Sequence, residues 1–132
     1  MRSMKRSRLG LTVVALVTAL VVQGAPIASA GDDDVIRRGS CSGASNWKLK
    51  LSHEDGGIEV EYEVDQNVNG DTWRVVMKHD GVRFFRGRRT TKAPSGSFEV
   101  RRVTNNKAGT DSYLAKAVNL DTSETCRGRA SI

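Results

Sequence analysis

Histidine, cysteine and helical periodicity are all scarce in this 132-residue chain, and each shortage closes off a class of function. The histidines are His53 and His79, both beside turn sequences, and the cysteines are Cys41 and Cys126. So few groups leave little from which to build a nucleophile–base pair, and no serine lies in a nucleophile-elbow pattern. Two cysteines far apart, helped by two histidines, also make a poor metal signature. There is no internal repeat, low-complexity tract or long linker. These shortages argue against an enzyme and against a cofactor site.

The long apolar run is at the start. Arg2, Lys5, Arg6 and Arg8 precede an uninterrupted apolar and small-residue stretch from Leu9 to Val22. Gln23 and Pro26 break it, and Ala28-Ser29-Ala30 offers the small residues of a signal-peptidase site. As a helix the run would rise about 21 Å, short of the roughly 30 Å of a bilayer core. Residues 1–30 therefore read as a cleavable signal peptide, and the mature chain as secreted, extracellular and not membrane-bound.

Removing that segment changes the electrostatics. The whole chain has 21 Lys and Arg against 15 Asp and Glu; without the four basic residues of the signal, 17 face 15, a net of +2. So small an excess gives no support for nucleic-acid binding. Export also places Cys41 and Cys126 in an oxidising setting, where an even count favours a disulfide over a free thiol pair or a metal site.

Residues 31–44 read as a flexible leader containing Cys41, opened by Asp32-Asp33-Asp34. From Asn46 onward the apolar period is two. Trp47, Leu49 and Leu51 alternate with lysines; Ile58, Val60, Tyr62 and Val64 alternate with Glu59, Glu61 and Glu63. Asp55-Gly56-Gly57 between them reads as a hairpin turn. Trp73, Val75 and Met77 form a third strand, a segment around Val82–Arg86 a fourth, Phe98 and Val100 a fifth, and Tyr113, Ala115 and Ala117 a sixth. Glu124–Ile132 supplies the seventh. Seven short strands without a helix predict an all-β sandwich of two antiparallel sheets over residues 45–132.

The stretch Ala108-Gly109-Thr110-Asp111-Ser112-Tyr113-Leu114-Ala115-Lys116-Ala117-Val118-Asn119 resembles strand F of an immunoglobulin-like domain of the I-set kind. That strand reads roughly D-A-G-x-Y-x-C-x-A-x-N. Tyr113 falls on the tyrosine-corner position, and Ala115 replaces the family's second cysteine. Ile58-x-Val60-x-Tyr62-x-Val64 resembles strand B with Tyr62 in place of the first cysteine, and Trp73 is similar to the core tryptophan of strand C. The resemblance covers Ser45–Ile132 and extends to small secreted bacterial proteins that carry only this domain. It implies a seven-stranded immunoglobulin-like sandwich, with Tyr62 and Ala115 filling the space of the missing bridge. It also implies that Cys41, before the first strand, and Cys126, opening the last, meet at one end. The fourth strand is expected in an A-B-E-D sheet.

Three surfaces then stand out. Asp65, Asn67, Asn69 and Asp71 copy the first half of a calcium loop, but Val76 occupies the position of the bidentate carboxylate, so a polar turn is the simpler reading. Arg83, Arg86, Arg88, Arg89, Arg101 and Arg102, with Lys92, concentrate positive charge in twenty residues. They read either as a patch for an anionic cell-surface polymer or as one side of a cross-strand charge ladder with the glutamates. Alternation places Val76, Leu114 and Val118 on one outer face, framed by Arg74, Lys78 and Lys116, with Arg127 and Arg129 alongside. That candidate interface suits an extracellular protein partner. The expectation is a secreted, non-catalytic binding module, with a small-ligand or calcium-binding domain as the alternative and a secreted enzyme or inhibitor behind both.

Overall fold

The computed structural model describes residues 33–132, so the signal peptide read at residues 1–30 lies outside the described residues. Eight strands follow one another: β1 (Val35–Ser40), β2 (Asn46–Glu54), β3 (Gly57–Asp65), β4 (Thr72–His79), β5 (Val82–Thr90), β6 (Ser97–Asn105), β7 (Ser112–Asn119) and β8 (Thr125–Ser131). They form two four-stranded antiparallel sheets, in the orders β1-β2-β3-β6 and β5-β4-β7-β8, packed as a sandwich.

Two points correct the sequence expectation. Val35–Ser40, inside the stretch read as a flexible leader, is an edge strand paired with β2 from Val35↔Leu51 to Ser40↔Asn46. Its residues do not alternate, because an edge strand outside the main core needs only backbone pairing to hold it. The fourth strand, β5, lies beside β4 and not in the sheet of β1, β2, β3 and β6. The reason is the turn. Asp80 and Gly81 both have positive φ, 47° and 81°, and His79 pairs directly with Val82. A two-residue turn of this kind can only return the chain to the adjacent place in the same sheet. Asp55 and Gly56 do the same between β2 and β3.

The inward sides carry the residues that alternation selected. Leu49, Leu51, Ile58, Val60, Tyr62, Val64, Trp73, Val75 and Met77 are all fully buried. Trp73 donates its indole N–H to Gln66 Oε1 at 3.1 Å. Tyr62 crosses the sandwich and donates its hydroxyl to the Cys126 carbonyl at 3.0 Å, while Ala115 is also buried. Burial pushes the Tyr62 hydroxyl pKa well above its ordinary value. At the other end the Tyr113 hydroxyl meets the Thr104 hydroxyl at 2.7 Å, a side-chain partner and not the backbone one of a tyrosine corner.

The β1–β8 margin is closed by three devices. Cys41 and Cys126 form a disulfide with Cα atoms 4.3 Å apart. The Ser42 amide donates to the Thr125 carbonyl at 2.8 Å, and the Thr125 amide to Ser42 Oγ at 2.9 Å. Trp47 lies across Gly39 and Gly128, where an added Cβ would come within 2.6 Å of the indole in either case. Neither glycine's role was legible from periodicity; a large side chain facing two strand glycines is the pattern that carries it.

Candidate functional site

The two outer sheet faces differ in charge. On the first sheet the outward cations are Arg38, Lys48, Lys50 and Arg101, and the outward acids are Glu54, Glu59, Glu61, Glu63, Glu99 and Asp65. Three of the four cations are paired. Lys48 reaches Glu63 at 3.2 Å, Lys50 reaches Asp34 at 3.2 Å and Glu61 at 3.9 Å, and Arg101 bonds to Glu59 and lies 3.7 Å from Glu61. The Arg101 guanidinium holds the Glu59 carboxyl below its usual range, whereas burial raises that of Glu61. This is the charge ladder, built from β2, β3 and β6.

The second sheet has no such compensation. Cross-strand register sets Arg88, Arg74, Val118 and Thr125 in one row, Arg86, Val76, Lys116 and Arg127 in the next, and Arg83, Lys78, Leu114 and Arg129 in a third. Residues opposite one another in a sheet share a face. Thr72–Thr90 and Ser112–Ser131, both joined through their hydroxyls, close the two ends. The result is eight cations and no acid among the outward strand positions. Among the described residues none of the eight has a carboxylate within 4.0 Å.

The candidate interface and part of the arginine patch thereby become one surface. Arg83, Arg86 and Arg88 join Arg74, Lys78 and Lys116 because β5 pairs with β4. The rest of the patch goes elsewhere: Arg89 and Arg102 stack over the Phe85 ring at 5.1 and 4.6 Å, and Arg101 belongs to the ladder. Val76, Leu114 and Val118 are half-buried, Val76 lying diagonally from the other two, and each stands directly opposite a cation. They form the floor between long basic side chains, whose methylene stems can cover them. A shallow depression of about 290 Å³ lies between Lys78, Leu114, Arg127 and Arg129.

The Asp65–Asp71 segment is a turn in which one carboxylate oxygen of each aspartate is bonded within the fold. Asp65 Oδ1 takes the Asn67 amide at 3.2 Å, and Asn67 and Gly70 have φ of 58° and 93°. Asp71 Oδ2 accepts from Asn119 Nδ2 at 2.9 Å and from Gln66 Nε2. These bonds, that from Asn119 first, lower the Asp71 pKa. A carboxyl depressed in the folded state adds stability above its unfolded pKa of about 4 and loses it as pH falls through the lower folded value. Asp71→Asn should therefore flatten part of the acid limb of a stability–pH curve measured by urea unfolding. An unchanged acid limb would show that these bonds do not favour the ionised carboxyl.

A second cluster was not evident from sequence. His79, Asp80 and Asp111 bring one donor atom each within 4.8 Å of one another. His79 Nε2 is 2.5 Å from Asp111 Oδ1, and its ring stacks on Tyr113 with centroids 4.4 Å apart. Asp111 also takes the Lys107 amide, and Lys107 Nζ sits 3.3 Å from Asp80. Among the described residues no serine, threonine or cysteine side chain hydrogen-bonds to His79, so no nucleophile accompanies the pair. The cluster ties the end of β4 to the β6–β7 loop. An aspartate two residues before the tyrosine was its signal in the sequence.

No family model matches the chain, and neither does any curated protein sequence.

Proposed function

We propose that the mature chain is a secreted, non-catalytic module of immunoglobulin-like type that binds an anionic partner outside the cell or at its wall, through the outer face of β5-β4-β7-β8. The observation that carries this reading is the uncompensated charge of that face beside the paired charges of the opposite one. Neighbouring positions lie about 4.8 Å apart between strands and about 6.7 Å apart along them. Both spacings are shorter than the roughly 8 Å screening length of physiological salt, so the potentials of adjacent cations add. Such a face repels itself, and a two-fold dimer through it would oppose eight cations to eight. An anionic partner relieves that repulsion and is steered to the face.

The test is Arg86→Glu/Arg127→Glu, one change on β5 and one on β8. Both side chains are exposed, so the thermal unfolding midpoint should stay near that of the wild type. Retention on a phosphate-bearing cation exchanger and on isolated cell-wall material should fall by about 10-fold or more in apparent affinity at moderate salt. Unchanged retention of the folded variant would overturn the reading.

A further inference from the structure

We infer that the occupant of this face is an extended phosphodiester polymer with three-carbon polyol spacers, an inference that rests on the proposed reading of the face as anion-binding. The first ground is the kind of cation. Six of the eight are arginines, Arg74, Arg83, Arg86, Arg88, Arg127 and Arg129. The planar guanidinium grips two oxygens of a phosphate at once, which the lysine ammonium does not. Arg83, Arg86 and Arg88 run along one edge strand, and Arg127 and Arg129 along the opposite one.

The second ground is pitch. Arg86 and Arg88, like Arg127 and Arg129, are two residues apart, a path of six backbone bonds spanning about 6.6–7.2 Å when extended, and Arg83 is brought opposite Lys78, one row on, by the bulge at Phe84. From one phosphorus to the next through two ester oxygens and three carbons is also six bonds. The polymer's charges therefore repeat at close to the strand's own interval, and successive phosphates can meet successive arginines without either chain coiling. A five-carbon spacer adds two bonds and loses that match.

The floor decides between polymers of similar pitch. A single-stranded nucleic acid has the same six-bond repeat, but its bases need aromatic platforms, and no aromatic occupies the three outward rows. Trp73 and Phe85 are buried on the inner side, and Tyr113, which borders the depression, is itself buried and offers no open ring face for stacking. That absence also leaves out the aromatic anchors of a protein–protein interface. Half-buried Val76, Leu114 and Val118 cannot insert into a bilayer as an interfacial anchor would, yet they offer methylene-sized contacts between cations. The depression beside Leu114 brings Lys78, Arg127 and Arg129 around one recess, a place for a phosphate among three cations.

The experiment is calorimetric titration of the mature protein with poly(glycerol phosphate) at several salt concentrations. Parallel titrations use poly(ribitol phosphate), poly-L-glutamate, duplex DNA and phosphatidylglycerol vesicles. Saturable binding to the glycerol polymer is expected, with log K falling against log salt at a slope of about −4, as six neutralised phosphates of a flexible strand would give. The ribitol polymer should bind several-fold more weakly. Arg86→Glu/Arg88→Glu should lose about 10-fold or more, while Arg37→Glu/Arg38→Glu on β1 stays within about 2-fold of wild type. Equal or tighter binding to the ribitol polymer, polyglutamate, DNA or vesicles would overturn the polymer assignment and leave the anion-binding face standing. Failure of the wild type to bind any of the five would defeat both.

Discussion

Trp73→Ala should cost about 3–5 kcal/mol of folding stability, the largest loss expected from any single side chain in this domain. The indole is fully buried between the sheets, with its ring centroid 6.0 Å from that of Phe98. Truncation empties most of its volume in a sandwich whose strands cannot collapse inward without breaking register. It also removes the donor to Gln66 Oε1, loosening the side chain that bonds to Asp71 in the β3–β4 turn. A domain of this size is stable by about 5–15 kcal/mol, so the variant should be marginal at 37 °C. Urea unfolding followed by circular dichroism gives the difference directly. A loss below about 1 kcal/mol would mean that the site relaxes to fill the hole, which the register of β4 against β5 and β7 opposes.

That register is also where sequence and structure part company. Alternation identifies which side of a strand is buried, and it did so for β2, β3, β4, β6 and β7, because each has a full apolar row facing the other sheet. It carries no information about which strands are neighbours. β5 shows the consequence: its burial pattern is irregular, with Phe84 accommodated at a bulge opposite Met77 and Lys78, so its sheet had to come from the Asp80-Gly81 turn. The candidate surface inherited that ambiguity. Arg74, Lys78, Lys116, Val76, Leu114 and Val118 were legible as one face because they alternate on β4 and β7. Arg83, Arg86 and Arg88 were legible only as a dense run of charge. Pairing of β5 with β4 is the step that joins the two sets and separates them from Arg101, which neutralises Glu59 on the opposite sheet. β1 and the His79–Asp111 contact escaped for a related reason: one is held by backbone bonds, the other by residues 32 apart in the chain.

Abolishing the disulfide, as Cys41→Ala/Cys126→Ala, should lower stability by about 4 kcal/mol or more in the chain-entropy account. The bond closes a loop with a sequence separation of 85, so the oxidised denatured chain is far more restricted than the open one. Cys126 is fully buried, and its replacement adds a small packing loss. The folded state should nonetheless keep its shape. Ser42 still bonds to Thr125 in both directions, Ser45 still meets Glu124 through its amide and hydroxyl, and Tyr62 still reaches the carbonyl of residue 126. The expected result is a lower urea midpoint in the double variant, matched by wild-type protein unfolded in reductant, with near-native circular dichroism in the absence of urea. An unfolding free energy within about 1 kcal/mol of that of the oxidised protein would show that the denatured chain already holds its ends together. The basic face tests the same point. Cys126 immediately precedes Arg127 on the edge strand β8, which is tied across the sandwich by this bond, by Ser42–Thr125 and by Tyr62. Because the hydrogen bonds survive the substitution, Arg127 and Arg129 should keep their spacing. The double variant, under conditions where it remains folded, should therefore bind polyanions within about 2-fold of the wild type, and a larger loss would show that the disulfide alone sets the position of β8.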